Sequence, residues 1–170
     1  MKKLLAVIDM QNDFVDGSLG TEEAQAIVSG VKALIEQYRD EGQEVVFTLD
    51  THDGGYLDTL EGKNLPVAHC IKGTKGRELC SQLNEYEGKR FEKPTFGCIG
   101  LAEYVKEGNY ESVELVGLCT DICVISNALL IKAAVPNTPV SVRAGCCAGV
   151  TPESHENALK AMSMCQVGIS

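Results

Sequence analysis

The segments that most constrain this chain are short apolar runs, each stopping on residues that can do chemistry. "KLLAVIDM" reaches a charge at Asp9, "EVVFTLD" ends on Asp50, and "SVELVGL" runs directly into "CTDIC". Runs of this length, rich in Val, Leu and Ile, read as buried strands. Between them the apolar period is helical. "TEEAQAIVSGVKALIEQYRDEG" spaces Ala26, Val28, Val31, Leu34, Ile35 and Tyr38 along one helix, capped by Thr21 with acids in its first turn and stopped at Gly42. A long polar, glycine-containing segment follows Asp50, with a short helix expected over Glu78 to Leu83. "LAEYVKEG", "DICVISNALLIKAAV" and "TPESHENALKAMSMC" are further helices, the last with Pro152 near its start. "PVSVRAG" is a strand and "QVGIS" a short final one. Strands alternating with helices predict an α/β fold: a three-layer sandwich with a mostly parallel sheet and helices on both faces. At 170 residues the chain reads as a single domain, 1–170.

Composition removes several classes of partner. A net charge of -9 disfavours nucleic acid and anionic membranes. No run has the length of a membrane span, and "LLAVIDM" meets a charge too soon for a signal peptide. Reduced thiols in a cytoplasmic setting follow as the expectation. Eight cysteines would suit a disulfide scaffold in a small chain, but 170 residues with 44% apolar content need no staples. Most of the cysteines read as small buried hydrophobes.

In a parallel sheet, ligands bind beyond the carboxyl ends of the strands, so those ends carry the functional signal. Cys123 falls in the first turn of a helix, where free N–H groups and the helix dipole lower a thiol pKa and can meet an oxyanion. Cys119 precedes that helix and is of interest for its backbone N–H. The CxxxC spacing also fits a disulfide or a metal pair, although no second cysteine pair completes a site of four thiolates. Lys93 lies in the turn-like "FEKPTFGCIG". Most lysines are solvated, but one placed between Asp9 and Cys123 would stabilise a thiolate while Asp9 exchanges protons. Asp50 and His52, two residues apart at a strand end, point the same way if the strand pattern persists. Carboxylate and imidazole together suit Zn2+, Mn2+ or Fe2+. The plain alternative is an acidic loop with stray histidines.

Three of these stretches resemble the isochorismatase-like cysteine hydrolase superfamily, and its nicotinamidase branch in particular. "AVIDMQNDFVDG" is similar to the family's first strand and loop, "EKPTFG" to its lysine segment, and "LVGLCTDICV" to its nucleophile motif. The resemblance covers essentially the whole length and implies a catalytic set of Asp9, Lys93 and Cys123. It also implies a cis peptide between Leu118 and Cys119, with the N–H groups of Cys119 and Cys123 around the oxyanion. It further implies one divalent transition metal, Zn2+ first with Mn2+ or Fe2+ acceptable, held by Asp50, His52 and His69. Glu61 is the best fourth ligand, with Asp58 competing. The implied reaction is hydrolysis of nicotinamide to nicotinate and ammonia through a cysteine thioester, a step of NAD salvage. The partner is then a small-molecule amide, with homo-oligomerisation open.

Phe14 and Phe96 are candidate pocket walls, and equally candidates for core packing. The chain departs from the branch in two places. It has no tryptophan, Leu65 standing in that neighbourhood, and the helix after Cys123 has Asn127 and Leu130 where Thr and Asp are common. Two alternatives therefore stand beside nicotinamide: another small amide, such as an N-carbamoyl compound or ureide, and a non-enzymatic thiol-based redox or metal-binding protein. Vinyl-ether chemistry is less attractive, because that branch uses neither the cysteine nor this metal cluster. His155 reads as structural or surface.

Overall fold

Strand β1 (Lys3–Ile8) lies in the middle of a six-stranded sheet. On one side it pairs with β2 (Glu44–Asp50), which pairs with the edge strand β3 (Lys89–Lys93). On the other it pairs with β4 (Ser112–Leu118), followed by β5 (Val140–Ala148) and β6 (Gly168–Ile169). All five pairings are parallel. The chain is described by a computed structural model over residues 2–170.

Strand geometry sends alternate side chains to opposite faces, and both faces are covered. Leu4, Ala6 and Ile8 of β1 join the core beneath α5 (Ile99–Gly108), α6 (Ile125–Ala134) and α7 (Pro152–Met164), with Leu101, Ile131 and Met162. Leu5 and Val7 join the core beneath α3 (Val28–Asp40), with Val31, Leu34 and Ile35. Leu4 through Ile8 are 0% exposed, and full burial of each leucine, valine or isoleucine among them stabilises by about 1.5–3 kcal/mol. The result is the three-layer sandwich expected from the alternation. Among the described residues no helix is long and apolar enough to cross a membrane.

Local differences from the sequence reading have physical causes. The helix expected from Thr21 to Gly42 is two helices, α2 (Glu22–Ala26) and α3, joined at Ile27. Thr21 caps the first, accepting from the Ala24 N–H. The helix expected over Glu78 to Leu83 is absent. Its backbone groups are claimed by the loop after β1: Asn12 N–H donates to Glu78 O, Cys80 N–H donates to Met10 O, and Gln11 bridges Leu79. The stretch around Lys93, read as a loop, is the end of β3, an edge strand whose "KRFEK" lacks an apolar run because it is largely exposed. Two short helices, α1 (Asn12–Val15) and α4 (Leu60–Asn64), occupy segments read as loop.

Candidate active site and metal centre

The strand order β3-β2-β1-β4-β5-β6 reverses direction between β1 and β4, the place where a crevice opens in such a sheet. Register brings the expected residues to it. Asp50 pairs with Lys93 at the ends of β2 and β3, and Ile8, just before Asp9, pairs with Gly117. Gly117 has φ +119°, and a Cβ there would lie 2.1 Å from Ile8 O, so only glycine allows β1 and β4 to approach at this point. The next peptide bond but one, Leu118–Cys119, is cis, as the resemblance implies. A wide π-type turn, Thr120–Val124, then leads into α6, with Cys119 O accepting from the Ile122 and Val124 N–H groups. Cys123 thus lies in this turn and not in a regular first turn of α6.

Lys93 Nζ stands 2.6 Å from Asp9 Oδ2 and 3.5 Å from Cys123 Sγ, and donates to Thr95 O at 2.9 Å. Asp9 adopts a left-handed φ of +46° and is held by Thr48, whose hydroxyl donates to Asp9 Oδ1 at 2.6 Å and accepts from the Asp9 N–H. Asp9 Oδ2 has no aligned hydrogen-bond donor, so its contact with Lys93 is an ion pair. Lys93 is 2% exposed. A lysine this dry is stable only because it is paired.

The protonation pattern differs from the sequence expectation at Cys123. Burial pushes its thiol well up and the Asp9 charge adds to this, while Lys93 offsets only part. The helix-terminus argument for a lowered pKa is therefore overturned: the nucleophile candidate is 6% exposed and faces a carboxylate. Burial also raises the Asp9 carboxyl, with Lys93 pulling against it. Burial works to discharge Lys93, but Asp9, Cys123 and Asp50 outweigh it and tighten its hold on the proton. The site is a fixed cation beside two groups that can trade one proton.

Next to this set, Asp50, His52, Glu61 and His69 bring one ligand atom each to within 4.8 Å of one another. His52 Nε2 lies 2.8 Å and His69 Nε2 3.3 Å from Asp50 Oδ2, and both lie 3.7 Å from Glu61 Oε1. His69 Nδ1 is 2.8 Å from Val67 O, an arrangement that puts the proton on Nδ1 and turns a bare Nε2 inward. Two imidazoles and two carboxylates suit a divalent transition metal. Burial works against the Asp50 charge, yet His52, His69 and Lys93 hold its carboxyl below the usual carboxylate range. Glu61, from the first turn of α4, fills the fourth corner, and Asp58 is outside the group. Tyr56, which sequence reasoning did not single out, packs its ring 4.7 Å from His52 and 4.8 Å from His69.

Asp50, His52, Glu61, His69 and Cys123 line a cavity of about 700 Å³, with Asp9 and Lys93 buried behind Cys123. Phe14, Leu65 and Phe96 all line it, with Cys119 and Cys123. The Phe14 ring is 5.4 Å from His69. All eight cysteines are free thiols.

Two buried amides organise the site without any local sequence signal. Gln11 links the ends of β1 and β2 by exchanging hydrogen bonds with the Asp50 backbone, and also donates to Arg77 O. Asn127 donates to Cys123 O at 2.8 Å and to Phe96 O at 3.1 Å, and accepts from the Cys98 N–H at 2.9 Å. Leu130 packs so closely over Gly97 that a Cβ there would meet its methyl at 2.6 Å. The two departures in the helix after Cys123 thus both anchor the loop that follows Lys93. His155 Nδ1 lies 2.7 Å from the buried Thr120 hydroxyl, in the turn that carries Cys123.

Known proteins resemble this chain in sequence and in fold. A family model described as Isochorismatase domain matches residues 3–170. A Bacillus subtilis protein described as an uncharacterized isochorismatase family protein, PncA, is 33% identical over 76% of this chain and 78% of its own length. The crystal structure of the pyrazinamidase of Pyrococcus horikoshii in complex with zinc superimposes with a TM-score of 0.87 at 25% identity, covering 100% of this chain and 99% of that one. The nicotinamidase PncA structure from Bacillus subtilis gives 0.86 at 29%, covering 100% and 99%. N-carbamoylsarcosine amidase from Thermoplasma acidophilum gives 0.80 at 26%, covering 100% and 96%.

Proposed function

We propose that this chain, which belongs to the isochorismatase family, hydrolyses the carboxamide of nicotinamide to nicotinate and ammonia through a thioester on Cys123. The observation that carries this reading is the Lys93 ammonium, 2.6 Å from Asp9 Oδ2 and 3.5 Å from Cys123 Sγ, beside a cluster of metal-ligand type. A buried cation fixed between a carboxylate and a thiol has no structural need that a hydrophobic trio would not meet more cheaply. Its use is chemical.

Asp50, His52, Glu61 and His69 would hold the metal, Zn2+ first among candidates. When bound, it supplies a Lewis acid for a ring nitrogen. The chain's own groups do the rest. As Cys123 Sγ forms its bond to the amide carbon, the thiol proton passes to Asp9, and Lys93 offsets the one negative charge as it moves from Asp9 through the sulfur to the amide oxygen. The N–H groups of Cys119 and Cys123 meet the oxyanion, each such donor contributing on the order of 3 kcal/mol to the transition state. Asp9 returns the proton to the departing nitrogen and ammonia leaves. Water then attacks the thioester with Asp9 as base, which restores the thiol and releases the acid. Phe14, Leu65 and Phe96 flank the ring.

A second reading, hydrolysis of an N-carbamoyl compound, draws support from the likeness to an N-carbamoylsarcosine amidase. One screen separates them: ammonia release from nicotinamide, pyrazinamide, N-carbamoyl amino acids and aliphatic amides on zinc-loaded protein. Release from the aromatic amides is expected. Release from a carbamoyl compound alone would replace the substrate while keeping the catalytic set.

A further inference from the structure

The cavity is larger than a single-ring amide requires, and its outer part is apolar. About 700 Å³ is a volume that takes a drug-sized ligand. Its lining runs from Phe96, just past β3, through Asp50 at the end of β2 and Cys123 past β4, to Val150 just past β5. A single-ring amide fills only part of a cavity of this volume.

The outer walls are of one chemical kind. Leu60 is 78%, Val150 55%, Phe96 43% and Leu65 39% exposed, yet all four line the cavity. Among the described residues they make up four of the nine large apolar side chains left open to water, so exposed apolar surface is concentrated at this mouth. No lysine or arginine among the described residues lines the cavity. Among the described residues the only buried lysine or arginine, Lys93, is already paired with Asp9. Asp50 and Glu61 together cancel the charge of a divalent ion, so even the loaded site offers an anionic substituent no net cation. A carboxylate buried here would lose its water without gaining a partner.

We propose that the preferred substrate is an uncharged aryl carboxamide carrying an apolar extension, whose far part rests on Leu60, Leu65, Phe96 and Val150. This rests on the amide-hydrolase reading and narrows it, because it disfavours amides that carry a free carboxylate.

The test uses zinc-loaded protein and pyridine-3-carboxamides bearing hydrogen, butyl, phenyl or carboxylate at ring position 5 or 6. For at least one position, kcat/KM for the phenyl or butyl compound should exceed that of the parent at least tenfold, chiefly through KM. The carboxylate compounds should fall below the parent. Leu60→Asp and Val150→Asp place a charge on exposed wall positions and should each reduce the ratio of phenyl to parent at least fivefold. A parent preferred over every apolar derivative, or a ratio unmoved by both substitutions, would overturn the proposal. Should none of the compounds be hydrolysed, the amide-hydrolase reading fails separately, and calorimetric binding of the same series decides the inference. Tighter binding of the phenyl than the parent compound supports it; equal or absent binding overturns it.

Discussion

Gln11 and Asp50 exchange two hydrogen bonds of 2.8 Å, the Gln11 side-chain amide donating to the Asp50 carbonyl and accepting from the Asp50 N–H. The buried side chain thus acts as one further rung of the sheet, just where β1 has ended, and fixes the backbone that presents the Asp50 carboxylate. Gln11→Ala leaves the Asp50 backbone and Arg77 O without these partners, at about 1–3 kcal/mol for each buried group left unsatisfied. Zinc affinity, measured by chelator competition, should fall roughly 10- to 100-fold. Unchanged affinity would remove Gln11 from the support of the ligand cluster.

One transition metal per chain is expected in protein purified without added metal. His52→Ala should lose most of it by elemental analysis, whereas Asp58→Ala should keep it, since Asp58 stands outside the cluster. Equal metal in wild type and His52→Ala would contradict the site.

Asn127→Ala should lower both stability and turnover. It frees Cys123 O, Phe96 O and the Cys98 N–H, of which several are buried, and an effect of about 2–3 kcal/mol on unfolding is expected from groups of this kind. Denaturant unfolding reads the first effect. A fall in kcat, with metal content unchanged, reads the second, because the loop after Lys93 loses its tie to the turn that carries Cys123. Wild-type kcat in a destabilised variant would make Asn127 structural only.

Much of the site is legible in the sequence because a parallel sheet collects its strand ends on one edge. Asp9, Asp50 and Cys123 each follow an apolar run, and that placement alone predicts their convergence. Scarce histidines shortly after Asp50 carry the metal signal in the same way. The roles of Gln11 and Asn127 are not legible in the sequence, because apart from Cys123 O, one helical turn from Asn127, their partners are backbone groups 29 to 66 residues away and no local pattern encodes them. The absent helix over Glu78 to Leu83 fails for the same reason, its backbone bonds going to the loop after β1. The lowered pKa expected for Cys123 failed because sequence position reveals a helix start but not the burial and the facing Asp9 that outweigh it.

Stability should fall at alkaline pH. Burial pushes the Cys147 thiol up to about 12, and burial together with Asp121 pushes Cys119 up to about 12. An unfolded thiol titrates near about 8.5. Below that value both states hold the proton and the contribution is complete. Between there and the folded values the unfolded chain releases protons that the folded chain keeps, so stability declines as pH rises. Urea midpoints from pH 7 to pH 10.5 should show this decline, with a shallower slope in Cys147→Ala. An identical slope in the variant would show that Cys147 does not contribute.

The central claim is that Cys123 carries the acyl group during amide hydrolysis. Zinc-loaded protein turning over nicotinamide or pyrazinamide should be quenched in acid and its peptides mapped by mass spectrometry. The expected result is an acyl adduct on the Cys123 peptide alone, released by hydroxylamine, with turnover in Cys123→Ala reduced on the order of 10⁴-fold or more. An adduct on Cys119 or Cys70, or turnover that survives Cys123→Ala, would contradict it.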